Sequence, residues 1–279
     1  LSAVLLALAA SAVWGTGDFF GGLISRGRSA ASVLAVSQMF GLIGLSVVVA
    51  IAAGPFPDTA ILPWAALAGA GTGLGVMCLY QALSIGPMSI VAPLTALAGV
   101  VPVVVGVIEG DRPSWLQGVG MVVAVTGCFL AARAPSQGAA IRRSGVLFAL
   151  GAALLIGGGL VGLDHAADHD VLWGLELSRV AVVVLAGGLA LALLGPRRVG
   201  GEARPLAPLA LLGALDVGAN GLFAWASTLG LLSVVSVLGS VYPVMTVLLA
   251  RIVLKERMTP TQGAGVAAAF GGIALLVGG

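Results

Sequence analysis

A handful of ionisable and amide side chains fall inside stretches that are otherwise apolar, and these set the chemistry open to the chain. Asp18 lies eight residues before Arg26, about 12 Å along a helix at 1.5 Å per residue. There it can take up and release a proton or hold a cation. Its structural alternatives are to cap the end of the first helix near Gly21-Gly22 or to pair with Arg26. Glu176 and Arg179 are three residues apart and share one helix face. They read first as an internal ion pair that lets the helix enter a membrane, and second as a clamp for the ammonium and carboxylate of an amino acid. Asp216 and Asn220 share a face in the same way. They suit substrate or proton handling, or else Asp216 is the buried partner of Arg179. An ionisable group at membrane depth costs about 2.5–3.5 kcal/mol on insertion scales, so each needs such a reason to be there.

Other groups carry weaker signals. Trp14, Phe19, Tyr80, Gln81, Trp225 and Tyr242 can line a cavity that stacks an apolar or planar substrate, and Trp and Tyr also anchor helices at membrane surfaces. His165 and His169 are four apart among Asp164, Asp168 and Asp170. That spacing can hold a metal on a helix, but the stretch reads as a short polar loop, so no metal and no cofactor is expected. Cys78 and Cys128 sit in apolar runs with no second thiol nearby and read as small core side chains. The glycines at 157–162 fit a dinucleotide pattern without the strand that pattern requires. Like Gly69, Gly71, Gly73 and Gly75, they are the small residues that let membrane helices pack closely. No nucleophile–histidine–acid set and no phosphate loop with a lysine is present, so an enzyme is not expected.

The elements that position these residues are membrane helices. The chain of 279 residues is 59% hydrophobic and 9% charged, with a mean hydropathy of +1.13. Soluble domains carry roughly 25% charged residues, and a spanning helix needs about 20 apolar ones. Ten such stretches follow one another, over 2–23, 31–53, 62–83, 89–108, 115–132, 145–163, 171–194, 206–228, 233–254 and 261–277. The run at 1–23 reads as the first of them and not as a cleavable leader. With a net charge of only +2 and its basic residues scattered over short links, the chain offers nothing to nucleic acid.

The second half repeats the first. Asp111, Arg112, Gln117, Gly118, Gly120 and Gly127 recur 145 positions later as Glu256, Arg257, Gln262, Gly263, Gly265 and Gly272. Ala82, Gly86 and Ser89 recur 144 positions later as Ala226, Gly230 and Ser233. With an alignment two residues looser, Asp164 becomes the counterpart of Asp18, so that two equivalent acids can be protonated in turn. Tyr80-Gln81 and Ala224-Trp225 are counterparts as well. This divides the chain into a five-helix repeat at 1–133, a linker at 134–143 and a second repeat at 144–279. A repeat with an odd number of spans inserts its copy upside down, and inverted repeats around a midplane site are a common transporter plan.

Orientation follows from the basic residues. Arg26, Arg28, Arg133, Arg142, Arg143, Arg197, Arg198, Arg204, Arg251, Lys255 and Arg257 fall at one set of links, and Arg112 alone at the other. The basic links are therefore expected in the cytoplasm, with both termini outside a multi-pass cell membrane protein.

The Trp14-Gly15 pair, the Ala-Pro-Leu-Thr-Ala run at 92–96 and the acid-turn-Gln-Gly-x-Gly segments at 111–120 and 256–265 carry a resemblance. With the duplication, they make the chain resemble the drug/metabolite transporter superfamily in its ten-helix EamA-type form, over nearly the whole length. The resemblance implies an all-α membrane protein of two inverted five-helix repeats around a central cavity. It also implies export of amino acids or other small metabolites across the bilayer; protons join as partners where an acid in the cavity titrates. Pro102 and Pro243 stand about one turn out of register, and the second helices of the halves match poorly. A proton-coupled exporter of drugs or cations is the alternative; a buried acid favours it, and Arg179 favours a zwitterionic or anionic substrate. The substrate, the coupling ion and the oligomeric state are not legible.

Overall fold

A computed structural model of the chain describes residues 1–24, 28–85, 91, 94–132, 143–202, 205–255 and 258–279. Arg26, Arg133, Arg142, Arg204, Glu256, Arg257, the Gly86-Pro87 turn, Ala92, Pro93 and the Tyr80 side chain lie outside the described residues. The elements are α1 (Ser2–Ile24), α2 (Ala30–Ala52), α3 (Ile61–Ile85), a 3-10 turn (Ala96–Gly99), α4 (Val100–Glu109), α5 (Trp115–Ala131), α6 (Arg143–His169), α7 (Val171–Glu202), α8 (Leu206–Leu229), α9 (Leu232–Gly239), α10 (Tyr242–Val253) and α11 (Pro260–Gly278). Among the described residues, eight helical spans are long and apolar enough to cross a membrane, counting α9 and α10 as one. The stretches Ala96–Glu109 and Trp115–Ala131 are shorter apolar helices. Along α2, Met39, Ile43, Val47 and Ile51 form an exposed stripe at every fourth position, the surface a lipid-facing helix presents.

The repeated segment has a local cause. Ser114 and Thr259 each open a helix with a capping box. The amide of Gln117 donates to Ser114 Oγ at 3.1 Å, and the Ser114 amide donates back to Gln117 Oε1 at 2.9 Å. Thr259 and Gln262 do the same at 3.2 and 3.0 Å. Each box satisfies two N–H groups that the first helical turn leaves unpaired.

Glycines set how the two halves meet. On α5 and α11, a side chain at Gly120 would strike Gly272 and Leu276, and one at Gly127 would strike Gly265 and Ala269. The two helices therefore run antiparallel, and each glycine faces the other's counterpart. The remaining crossings give the register between halves. Gly69 meets the Ser178 carbonyl and Gly213 meets the Ser37 carbonyl. Since Gly213 follows Gly69 by 144 positions, Ser178 corresponds to Ser37, 141 positions on. Gly15 lies against Tyr242 and Met245, and Gly157 lies against Ala98 and Val101. That relates α1 to α6 by 142 positions.

This register corrects one expectation. The counterpart of Asp18 is Leu160, and Asp164 corresponds to Gly22. The looser sequence alignment had slid one helix by about a turn, which the backbone-to-backbone glycine contacts do not allow. The second helices, which match poorly in sequence, present Ser37 and Ser178 to equivalent glycines.

Other boundaries moved too. The polar stretch from Asp164 to His169 is not a loop; it continues α6. Ala166 and Ala167 are buried there, and the His165 ring stacks on Trp64 at 4.3 Å. Asp170 starts the next helix by accepting from the Trp173 amide at 2.9 Å. α7 is interrupted at Gly195, where the expected stop at Gly195-Pro196 falls: its φ of 74° and ψ of 159° are not helical and suit glycine, and a second helical segment follows to Glu202. The span at 233–254 is broken between α9 and α10 at Ser240-Val241. Gly99, in the 3-10 turn that precedes α4, abuts Ser240 at that break.

Candidate functional site

A cavity of ≈ 670 Å³ lies between α1, α2, α3, α8 and α10. From its inner end at Tyr242 and Asp216 it extends to Gly22, Leu34, Leu79 and Ala132. Those residues stand at the ends of their helices on the side of the α1–α2 link. The walls are mostly apolar, with Trp14 on α1 and Tyr242 on α10 as aromatic faces and Thr72, Thr95 and Thr246 as hydroxyls. Thr246 Oγ1 donates to the Gly15 carbonyl at 3.1 Å and ties α10 to α1.

The charged centre is built from α2, α7 and α8. Arg179 Nη1 pairs with Asp216 Oδ2 and donates to Gln38 Oε1. Gln38 Nε2 donates to Asp216 Oδ2 at 3.1 Å, and Asn220 Nδ2 reaches Asp216 Oδ1 at 3.3 Å. Asn220 also donates to the Asp216 carbonyl at 2.7 Å. Arg179 is buried, while the Asp216 side chain is 30% exposed toward the cavity. Gln38 and Arg179 are 141 positions apart, the same spacing that relates Ser37 to Ser178. The two touch each other across the halves.

Glu176 and Arg179 do not pair. Glu176 Oε1 accepts from Ser46 Oγ on α2 at 2.5 Å, while its other oxygen is buried without a partner among the described residues. Spacing puts the two on one face of α7, but α2 and α8 present closer partners to each. Exchanging them, Glu176→Arg with Arg179→Glu, is therefore expected to leave the protein no more stable in detergent than the worse single variant. Recovery of the native thermal midpoint would mean that they do pair.

Asp18 is different. It faces the cavity and, among the described residues, makes no hydrogen bond or ion pair. α1 runs unbroken past it to Ile24, so it caps no helix end. With Asp216 matched by Arg179, Asp18 is the uncompensated charge of the described lining.

The cavity thus gathers Trp14, Asp18, Gln38, Asp216 and Tyr242, with Arg179 and Asn220 behind Asp216. Trp225 is half exposed on the outer surface of α8, and Gln81 is exposed and not among the lining residues. Phe19 is buried and not among them either. His165 contacts Glu109 at 3.0 Å and Asp164 at 3.6 Å, at the opposite end of the bundle. Gln38 and Thr72 escaped the sequence reading. A signal existed for Gln38: apart from serines it is the polar side chain of an otherwise apolar helix.

Comparison with known proteins agrees with this architecture. The model of the EamA-like transporter family matches the chain twice, over residues 1–133 and 143–278. A probable terminal-alkyne amino-acid exporter of Streptantibioticus cattleyicolor is 40% identical over 104 residues, which cover 37% of this chain and 34% of that protein. A solved crystal structure, described only as a protein, aligns over 98% of this chain and 96% of its own with a TM-score of 0.77. At 19% identity that likeness speaks for the fold alone.

Proposed function

Because the chain belongs to the EamA-like transporter family and is a multi-pass membrane protein, we propose that it exports small amine-bearing metabolites, amino acids among them, by alternating access. The carrying observation is the cavity that enters from the α1–α2 side and ends at a charged centre shared by both halves. A site on the relation between the halves can be reached from either side by two related packings, which is the logic of inverted-repeat transporters. The antiparallel contact of α5 with α11, each glycine against the other's counterpart, supports ten crossings in two inverted repeats at 1–133 and 144–279. The basic links support an orientation in the cell membrane with the open end of the cavity toward the cytoplasm and both termini outside. The exporter of S. cattleyicolor supports the amino-acid class by its name.

Asp18 favours a second reading, a proton-coupled exporter of organic cations. Arg179 already commits Nη1 to Asp216 and Gln38, and its charge is matched there. Flux into proteoliposomes, with and without an imposed proton gradient, separates the two. We expect flux of amino acids, including alkynyl ones. Flux of hydrophobic cations alone, tied to the gradient, would instead select the second reading, and flux of neither would remove both.

A further inference from the structure

We infer that the site has a second face, closed here, and that the two faces differ in charge: an ammonium group meets Asp18 while the present side is open and Leu160 once the other side opens. This rests on the alternating-access reading above. The register between the halves carries it. Moving by 142 positions from α1 to α6, by 141 from α2 to α7 and by 144 from α3 to α8 turns the present lining into a second set. Trp14 becomes Ile156, Asp18 becomes Leu160, Leu34 becomes Leu175 and Val76 becomes Asn220.

That second face is shut. Leu163, Leu175 and Phe223 are buried in one core cluster, and all eight residues of α9 are buried. Side-chain contacts close the same end. His165 Nε2 meets Glu109 Oε1 at 3.0 Å, joining α6 to α4. The His165 ring stacks on Trp64 of α3. Trp173 Nε1 donates to the Gly54 carbonyl at 3.1 Å, fastening the α2–α3 link to α7.

The centre belongs to both faces, because Gln38 and Arg179 exchange places under the same relation and Asp216 stays matched by Arg179. The difference lies beside it. Asp164 does not restore the balance: its counterpart is Gly22, four residues beyond Asp18, so it lies about 6 Å further out at 1.5 Å per residue. It also lies next to His165 at 3.6 Å. A cation several ångströms from a carboxylate with no paired base gains an attraction worth about tenfold in occupancy, even at the moderate effective dielectric of protein sites. An ammonium group is then held from the cytoplasmic side and let go on the far side, the order that export requires.

The test uses matched cysteines, Leu34→Cys and Leu175→Cys, each in the full chain with Cys78→Ala and Cys128→Ala, in proteoliposomes. Each is reacted with a trimethylammonium-bearing and a sulfonate-bearing methanethiosulfonate, with rates taken relative to a free thiol. At Leu34→Cys the cationic reagent should be favoured about tenfold, and Asp18→Asn should abolish that preference. At Leu175→Cys the preference should be smaller and indifferent to Asp18→Asn, and Leu160→Asp should raise it. Equal preferences at the two positions, unmoved by Asp18→Asn, would overturn the charge difference while leaving alternating access in place. A Leu175→Cys that never reacts from either side, beside a reactive Leu34→Cys, would overturn alternating access itself.

Discussion

Arg179→Met is expected to destabilise the protein by about 1–3 kcal/mol, less than the roughly 3–5 kcal/mol lost when the charge left behind is fully buried, because Asp216 still faces the cavity. Asp216 would keep Gln38 and Asn220 as donors but lose its countercharge at the inner end of the cavity. The double variant Arg179→Met with Asp216→Leu should regain most of that loss, because an apolar pair of similar volume often replaces a buried ion pair at no net cost. Transport should not return with it, since Asp216 lines the cavity and orders Gln38. Thermal unfolding in detergent measures the first part and proteoliposome flux the second. If Arg179→Met unfolds at the native temperature, the pair does not hold the centre together. If the stable double variant still transports, the centre is scaffold and the site lies elsewhere in the cavity.

Gly69→Ala and Gly213→Ala should each cost about 1–3 kcal/mol, the range for overpacking a close contact. The added methyl at Gly69 would fall on the Ser178 carbonyl, and at Gly213 on the Ser37 carbonyl. Both obstacles are backbone, so no rotamer change relieves them and α3 must move from α7, or α8 from α2. The two losses should be similar, because the positions are counterparts in the two halves. Gly44→Ala is the control: nothing lies within 4 Å of its added methyl, and alanine is the better helix former by about 0.5–1 kcal/mol. A loss at Gly213 with none at Gly69 would show that the halves are not packed alike. Losses no larger than at Gly44 would mean that these crossings are looser than described.

Much of this protein was legible from the residues in order. Apolar runs of membrane length give the class, and the recurrence of Ser/Thr-x-x-Gln-Gly gives the duplication, because each copy must cap the same helix start. Asp18, Arg179, Asp216 and Tyr242 stood out because a polar group in an apolar helix needs a reason, and they prove to line or support one cavity. These are properties of single helices, governed by hydration and local backbone bonds.

What tertiary structure alone decided is which residues meet. Sequence spacing placed Glu176 beside Arg179, but a side chain pairs with whatever neighbouring helix presents, and α2 and α8 present Ser46, Gln38 and Asp216. Repeat alignment made Asp164 the counterpart of Asp18, but the register of two halves is set where their backbones touch, at glycines such as Gly15, Gly69, Gly157 and Gly213. Helices in lipid gain little from burying apolar surface against one another, so small-residue contacts choose the register. A slip of one turn hardly alters a helix's composition, yet it decides whether an acid or Leu160 stands opposite Asp18 in the other half.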